Sequence, residues 1–178
     1  MTEPDKSDEE RRGREAFAVV GELVMISTAL DFQLNRVLMT MLDLGESLLI
    51  EPVVATLEPA RKVEILKARA SHLPKNHWRK NVSKFCDHVD DVFRQRNIAC
   101  HTPPVLEDGV WIFKPVAAAK LFKKIDLIGK TVKPSTIADF RAAIKTGETA
   151  LGEGVTLVEN FIRANAEMKR RKAARQQP

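Results

Sequence analysis

Between Phe17 and Leu44 the residues Leu23, Ile26, Leu30, Leu34, Val37, Met41 and Leu44 recur at intervals of three and four. That is the repeat of a helix burying one stripe of its surface. Phe17, Val20, Val24 and Phe32 widen the stripe, which implies more than one neighbour. The pattern predicts a first helix from Arg14 to Leu44, ended by Gly45 through the preference for glycine just beyond a helix. The spacing returns in Val63, Leu66 and Ala70, on a helix opening near Glu58 and Pro59, because proline favours the first turn. It returns again in Val82, Phe85, Val89, Val92 and Phe93, on a helix reaching Arg96 and stopping soon after His101, where Thr102 is restricted by Pro103 and Pro104 follows. Thr136 and Asp139 form a capping-box pattern for a final helix with Ile137, Phe140, Ile144, Leu151, Val155, Val158 and Ile162 as its stripe. Gly147, Gly152 and Gly154 weaken that helix unless close packing requires them.

These periods predict an all-α, up-and-down bundle of about four to five helices. Its one break is a small β-hairpin insertion near residues 104–114, where Val105 to Phe113 holds two short apolar runs around Asp108-Gly109. The structure of Glu46 to Leu57 stays open because Pro52 limits its continuity. Trp78 and Trp111 are expected to anchor packing at a helix start and at the hairpin.

A chain of 178 residues with 44% hydrophobic and 30% charged composition can bury a substantial single core. We expect a flexible segment over 1–13, one helical domain over 14–167 and a basic tail over 168–178. The formal charge of +5 resides in that tail: Lys169, Arg170, Arg171, Lys172 and Arg175 supply it, and residues 1–167 sum to zero. Such a tail is either a solvated helix end or a weak contact for nucleic-acid phosphates. The amino terminus lacks the apolar stretch of a secretory signal. No membrane span is expected, because Glu22, Asp31, Asn35 and Arg36 interrupt the most apolar segment. Cys86 and Cys100, on one helix, would stand about 21 Å apart, beyond disulfide reach, so a reduced cytoplasmic setting is expected.

The segment Arg96-Asn97-Ile98-Ala99-Cys100-His101 carries the chemistry. At about 100° per residue Asn97 and His101 share one side of the helix, a turn apart. Arg96 falls near the line of Val82, Phe85, Val89 and Val92, where an aliphatic residue is expected. A guanidinium there either snorkels outward or needs an anion or a second subunit. One reading is structural: Arg96 pairs with Glu22 or Asp31, Asn97 bonds to backbone and His101 caps the helix. The other is catalytic. Arg96 would grip phosphate oxygens through its planar fork, His101 would exchange protons near neutral pH, and Asn97 would orient them or bind a sugar hydroxyl. His72, His77 and His88 join no metal-ligand spacing, and no cofactor is expected. His88 among Asp87, Asp90 and Asp91 reads as a solvated face.

In this segment the chain resembles the HEPN superfamily of small helical bundles, whose members commonly carry Arg, four to six residues, then His, with a polar residue often following the Arg. The Leu30-Asp31-Phe32-Gln33-Leu34-Asn35-Arg36-Val37-Leu38 stretch is similar to the long first helix of some bacterial members, and the strand insertion after His101 fits as well. The resemblance extends over about residues 14 to 165 in organisation. It implies a metal-independent endoribonuclease of toxin or antiphage type, acting as a homodimer that joins two motifs in one cleft. Arg96 would then polarise the scissile phosphate, His101 would move protons and Asn97 would support them. Glu22 and Asp31 are the candidates for the polar residue that active members draw from an earlier helix. Other members are catalytically silent and act as antitoxin or nucleotidyltransferase partners, which is the alternative expectation.

Overall fold

The first helix does not wait for the apolar stripe. In the computed structural model, which describes residues 6–44, 49–107, 109–114 and 134–176 (only backbone for 6–9), α1 runs over Lys6–Met41. It starts eight residues before Arg14, on a polar stretch. It ends before the expected glycine. Asp43 has φ 54 and its N–H donates to Thr40 O at 3.1 Å, while Leu44 N–H reaches back to Met39 O at 2.9 Å. Those two bonds close a Schellman motif, with Asp, one of the few residues that tolerates the left-handed region, where glycine is usual. Gly45, with the start of the Glu46–Leu57 bridge, lies outside the described residues.

The rest of that bridge is helical: α2 spans Ile50–Thr56, with Pro52 in the first turn, where a missing N–H leaves no bond unmade. Helix α3 spans Pro59–Ser71 with Pro at its start, and α4 spans Asn76–His101. Strands β1 (Pro104–Glu107) and β2 (Val110–Phe113) pair antiparallel, Leu106 opposite Trp111. Asp108 of the expected turn lies outside the described residues, and Gly109 has φ 73. A third strand, β3 (Ser135–Thr136), adds to β2, Ile112 opposite Thr136. Helix α5 follows over Ile137–Arg175. Thr136 and Asp139 cap it: Thr136 N–H and Oγ1–H both donate to Asp139 Oδ2 at 2.8 Å. The fold is thus an all-α bundle of about five helices with a small antiparallel β insertion.

The chain divides into two compact units, to both of which α1, α4 and α5 contribute. One unit holds Met1–Ser27 and Asp91–Lys145. Its core comprises Ala16, Val19, Leu23, Val92, Phe93, Ala99, Phe113 and Phe140, all buried. Phe113 of β2 packs edge-on against Phe140 of α5, centroids 4.7 Å apart, which seats the sheet on that helix. Gln95 of α4 accepts from Ser135 Oγ at 3.1 Å, and Arg12 Nη1 of α1 donates to Gly109 O at 3.0 Å. Arg141 also pairs with Glu15.

The other unit holds Thr28–Asp90 and Thr146–Pro178. Leu30, Leu34, Val37, Leu66, Val82, Phe85 and Val89 are fully enclosed there. Trp78, at the start of α4, packs edge-on against Phe161, centroids 5.0 Å apart, as expected of an anchor. Asp87 and Asp90 lie on an exposed face, as expected, and hold Lys67, while His88 beside them is half-buried with its Nδ1 3.0 Å from Glu153 Oε2 of α5.

The stripe of α5 is as expected at Phe140, Ile144 and Val158 and departs from expectation at Val155 and Ile162. Val155 and Ile162 are 44% and 56% exposed, whereas Phe140, Ala143, Gly147, Ala150, Gly154, Leu157, Val158 and Phe161 are buried. The buried face is set by small residues that let neighbours approach closely. By length and composition alone, α1 from Glu10 to Met41 is apolar enough to cross a membrane. Its Leu23, Leu30, Leu34 and Val37 are nevertheless enclosed by protein.

Candidate functional site

About two and a half turns of α4 separate Val92, the last of the enclosed valines, from the end of the helix at His101, and the motif occupies the last six residues. Val82, Phe85, Val89 and Val92 have no exposed surface, and the next position on that line is Arg96. Arg96 is half-buried, and its guanidinium carbon lies 5.2 Å from the centroid of the Phe93 ring. The residue therefore snorkels. Its methylenes follow the apolar face and its cation rests on an aromatic face one turn back.

Among the described residues no carboxylate lies within ion-pair distance of Arg96, so the expected alternatives of Glu22 or Asp31 as its partner do not hold. Asp31 accepts instead from Lys62 Nζ at 2.7 Å, in the other unit, and Lys62 has no exposed surface at all. Glu22 is exposed in the same unit as Arg96 and forms no ion pair among the described residues. Stacking leaves the five guanidinium N–H donors of Arg96 available along their edges, a fork that matches two phosphate oxygens.

Asn97 and His101 are exposed and sit one turn apart at the end of the helix. Neither side chain hydrogen-bonds to another described residue, so Asn97 does not hold His101 in a fixed orientation. His101 is the last helical residue because Thr102, buried at 6% exposure, precedes Pro103 and leaves the helix. The helix end thus presents an imidazole and an amide one turn apart on one side, and the Arg96 guanidinium about 140° around the helix from the imidazole.

Beside the motif lies an apolar cleft of about 70 Å³, lined by Ala16, Phe17 and Val20 of α1, Ala99 of α4 and Trp111 and Phe113 of β2, among others. Ala99 belongs to the motif itself, so the helix turn that carries Asn97 and His101 on one side forms a cleft wall on another. Trp111 anchors the hairpin there, and its indole N–H is buried with no acceptor among the described residues. Phe17, at the lip, is 72% exposed.

Cys100 is exposed and Cys86 enclosed, both as free thiols. Burial pushes the Cys86 thiol up to about 12, so it stays protonated and is no nucleophile. Among the described residues no three His, Cys, Asp or Glu side chains come together as a metal site would require. Lys169, Arg170, Arg171, Lys172 and Arg175 lie on the exposed end of α5, in the other unit from the motif. Phe93 is the contributor that sequence reasoning missed. It stands three residues before Arg96, the spacing at which helical side chains meet, so the signal was present. No family model, curated protein or solved structure matches the chain.

Proposed function

We propose that the chain is a metal-independent endoribonuclease of HEPN-like type that cleaves RNA through its own 2′-hydroxyl. One observation carries the reading: Arg96 is held on Phe93 with no carboxylate partner among the described residues, five residues before an exposed His101 on the same helix end. A structural arginine so close to a core is ordinarily paired. An unpaired one, steadied by an aromatic ring, keeps its fork for an external anion.

In this mechanism the 2′-oxygen attacks the adjacent phosphorus, forming the 2′-O–P bond as the P–O5′ bond breaks. A base removes the 2′ proton, and an acid delivers one to the leaving 5′ oxygen. Arg96 neutralises charge on the non-bridging oxygens, and Asn97 binds the ribose or phosphate. A protomer offers one His101 for two proton transfers. Two copies of the motif would therefore make a complete site, and the proposed species is a homodimer. Phe17 and Met25, two turns apart on α1 in the same unit as the motif, are 72% and 70% exposed. Gly21 lies between them with no atom within 4 Å of where a Cβ would stand, leaving room for a second helix.

The same exposed face supports a second reading, in which the chain is a silent interaction module that docks an antitoxin or nucleotidyltransferase partner. Product analysis separates the two. In EDTA the purified protein should release 2′,3′-cyclic phosphate and 5′-hydroxyl ends. Arg96→Ala and His101→Ala should each lose turnover by a factor of about 100 or more, and Asn97→Ala less. Cleavage of a 2′-deoxy substrate, or full activity in His101→Ala, would refute the mechanism.

A further inference from the structure

Between Glu64 and Asp87 the chain contains Lys67, Arg69, Lys75, Arg79, Lys80 and Lys84 and no acidic residue. Lys67 and Lys84 are drawn onto Asp87, Asp90 and Glu153. Lys75, Arg79 and Lys80, around the α3–α4 turn, are exposed and have no ion-pair partner among the described residues. Arg79 Nε–H donates to Leu73 O at 2.6 Å, which fixes the root of its guanidinium and leaves its other nitrogens outward.

The Trp78–Phe161 contact holds this turn against α5. From Phe161 onward α5 is fastened to the end of α1, by Asn165 Nδ2–H to Thr40 O at 2.8 Å and by Lys169 to Asp43 at 3.4 Å. Every residue from 166 to 176 is exposed, and those past Lys169 make no hydrogen bond or ion pair with α1 among the described residues. The helix projects as a free rod carrying Arg170, Lys172 and Arg175, which have no carboxylate partner among the described residues. Arg171 is paired with Glu167. From Phe161 to Arg175 the rod advances about 21 Å, so the two groups of cations lie within one span of a nucleic-acid strand.

We infer that the α3–α4 turn and the free end of α5 form one two-limbed surface for the RNA phosphate backbone, with Lys75, Arg79 and Lys80 as one limb and Arg170, Lys172 and Arg175 as the other. The identity of the ligand as RNA rests on the ribonuclease reading; the surface itself rests on charge and packing. A membrane-surface helix needs an apolar face opposite its cations. Here Lys169 to Arg175 contains no large apolar residue, and the exposed Ile162 and Met168 are about 120° apart around the helix, so they form no such face. Cations around the whole circumference suit a flexible polyanion that wraps the rod.

The test uses the full chain carrying His101→Ala, so that cleavage does not obscure binding, and a fluorescent single-stranded RNA titrated across a series of salt concentrations. Arg79→Glu/Lys80→Glu and Arg170→Glu/Lys172→Glu should each weaken binding by about tenfold or more. Each should also flatten the dependence of log K on log salt by roughly one to two units, since each removes two phosphate contacts. If either pair leaves affinity and salt slope unchanged in folded protein, the two-limbed surface is refuted. Phosphatidylserine vesicles binding as tightly as RNA, and losing binding in the same variants, would refute the ligand. Binding as described in a protein whose parent does not cleave would leave this surface standing and remove the ribonuclease reading. Cleavage without effect of the reversals would do the opposite.

Discussion

Lys62 is among the largest side chains wholly withdrawn from solvent, and its ammonium ends on Asp31, whose side chain keeps 35% exposure. A buried ammonium without a counter-ion is costly, so Asp31→Ala should destabilise the protein by about 3 kcal/mol, at the low end for a broken buried pair because Asp31 is partly in water. Adding Lys62→Met removes the stranded charge and should restore most of that loss, as denaturant midpoints will show. This double variant also decides whether the Asp31–Lys62 pair supports catalysis. If it is folded and cleaves RNA at the parent rate, Asp31 serves as a counter-ion only; if it is folded and inactive, the Asp31–Lys62 pair is needed for activity as well as for stability. The partnership was hidden in the sequence because its members stand 31 residues apart on different helices. Arg96, by contrast, was legible: a cation on the line of Val82, Phe85, Val89 and Val92 marks itself as anomalous whatever it contacts. What periodicity could not supply was the choice between a carboxylate and an aromatic ring as its neighbour.

At the scale of elements, helices announced themselves wherever large apolar residues carried the buried face. The start of α3 at Pro59 and the end of α4 before Pro103 followed from backbone restrictions that proline imposes in any context. The end of α1 did not, because Asp43 in a left-handed conformation has no sequence signature as strong as the nearby Gly45. Strand β3 was invisible for a different reason: two residues contain no period, and their pairing with β2 is non-local. In α5 the weight given to Val155 and Ile162 obscured a stripe built on Ala143, Gly147, Ala150 and Gly154. That distinction is measurable at two glycines of one helix. A Cβ on Gly152 would meet nothing within 4 Å, so Gly152→Ala should stabilise the protein by about 0.5–1 kcal/mol through helix propensity alone. A Cβ on Gly154 would stand 2.5 Å from Gln33 Cγ and 3.1 Å from Phe85 Cε2, both on buried side chains. The same propensity gain is then offset by overpacking of about 1–3 kcal/mol, and Gly154→Ala should be net destabilising in a thermal or chemical melt. Equal effects at the two positions would show that the close approach of Gly154 does not govern this helix.

For the whole molecule, the proposed chemistry requires two protomers, and the physical warrant is the mismatch between one His101 and two proton transfers. The surface best suited to supply the second copy is the Phe17–Gly21–Met25 face of α1, since apolar side chains left about 70% exposed contribute little to the fold that holds them. A twofold interface uses each residue twice. Burying Phe17 in both copies at about 2 kcal/mol each gives about 4 kcal/mol per dimer, or roughly a thousandfold in the dissociation constant. Sedimentation velocity at micromolar concentration should therefore show a dimer for the parent and a monomer for Phe17→Asp, with Met25→Asp intermediate or monomeric. Because Phe17 also lines the cleft beside Ala99, circular dichroism must first establish that the variant keeps its helices. Activity then separates two causes of failure. Phe17→Asp should lose cleavage together with the dimer and recover part of both as protein concentration rises, by mass action. Arg96→Ala should stay dimeric and inactive at every concentration. A parent that sediments as a monomer while cleaving RNA at full rate would require both proton transfers to be made within one chain. His101 could not then be their only agent, and an exposed group of the same unit, Glu22 first among them, would have to be the second.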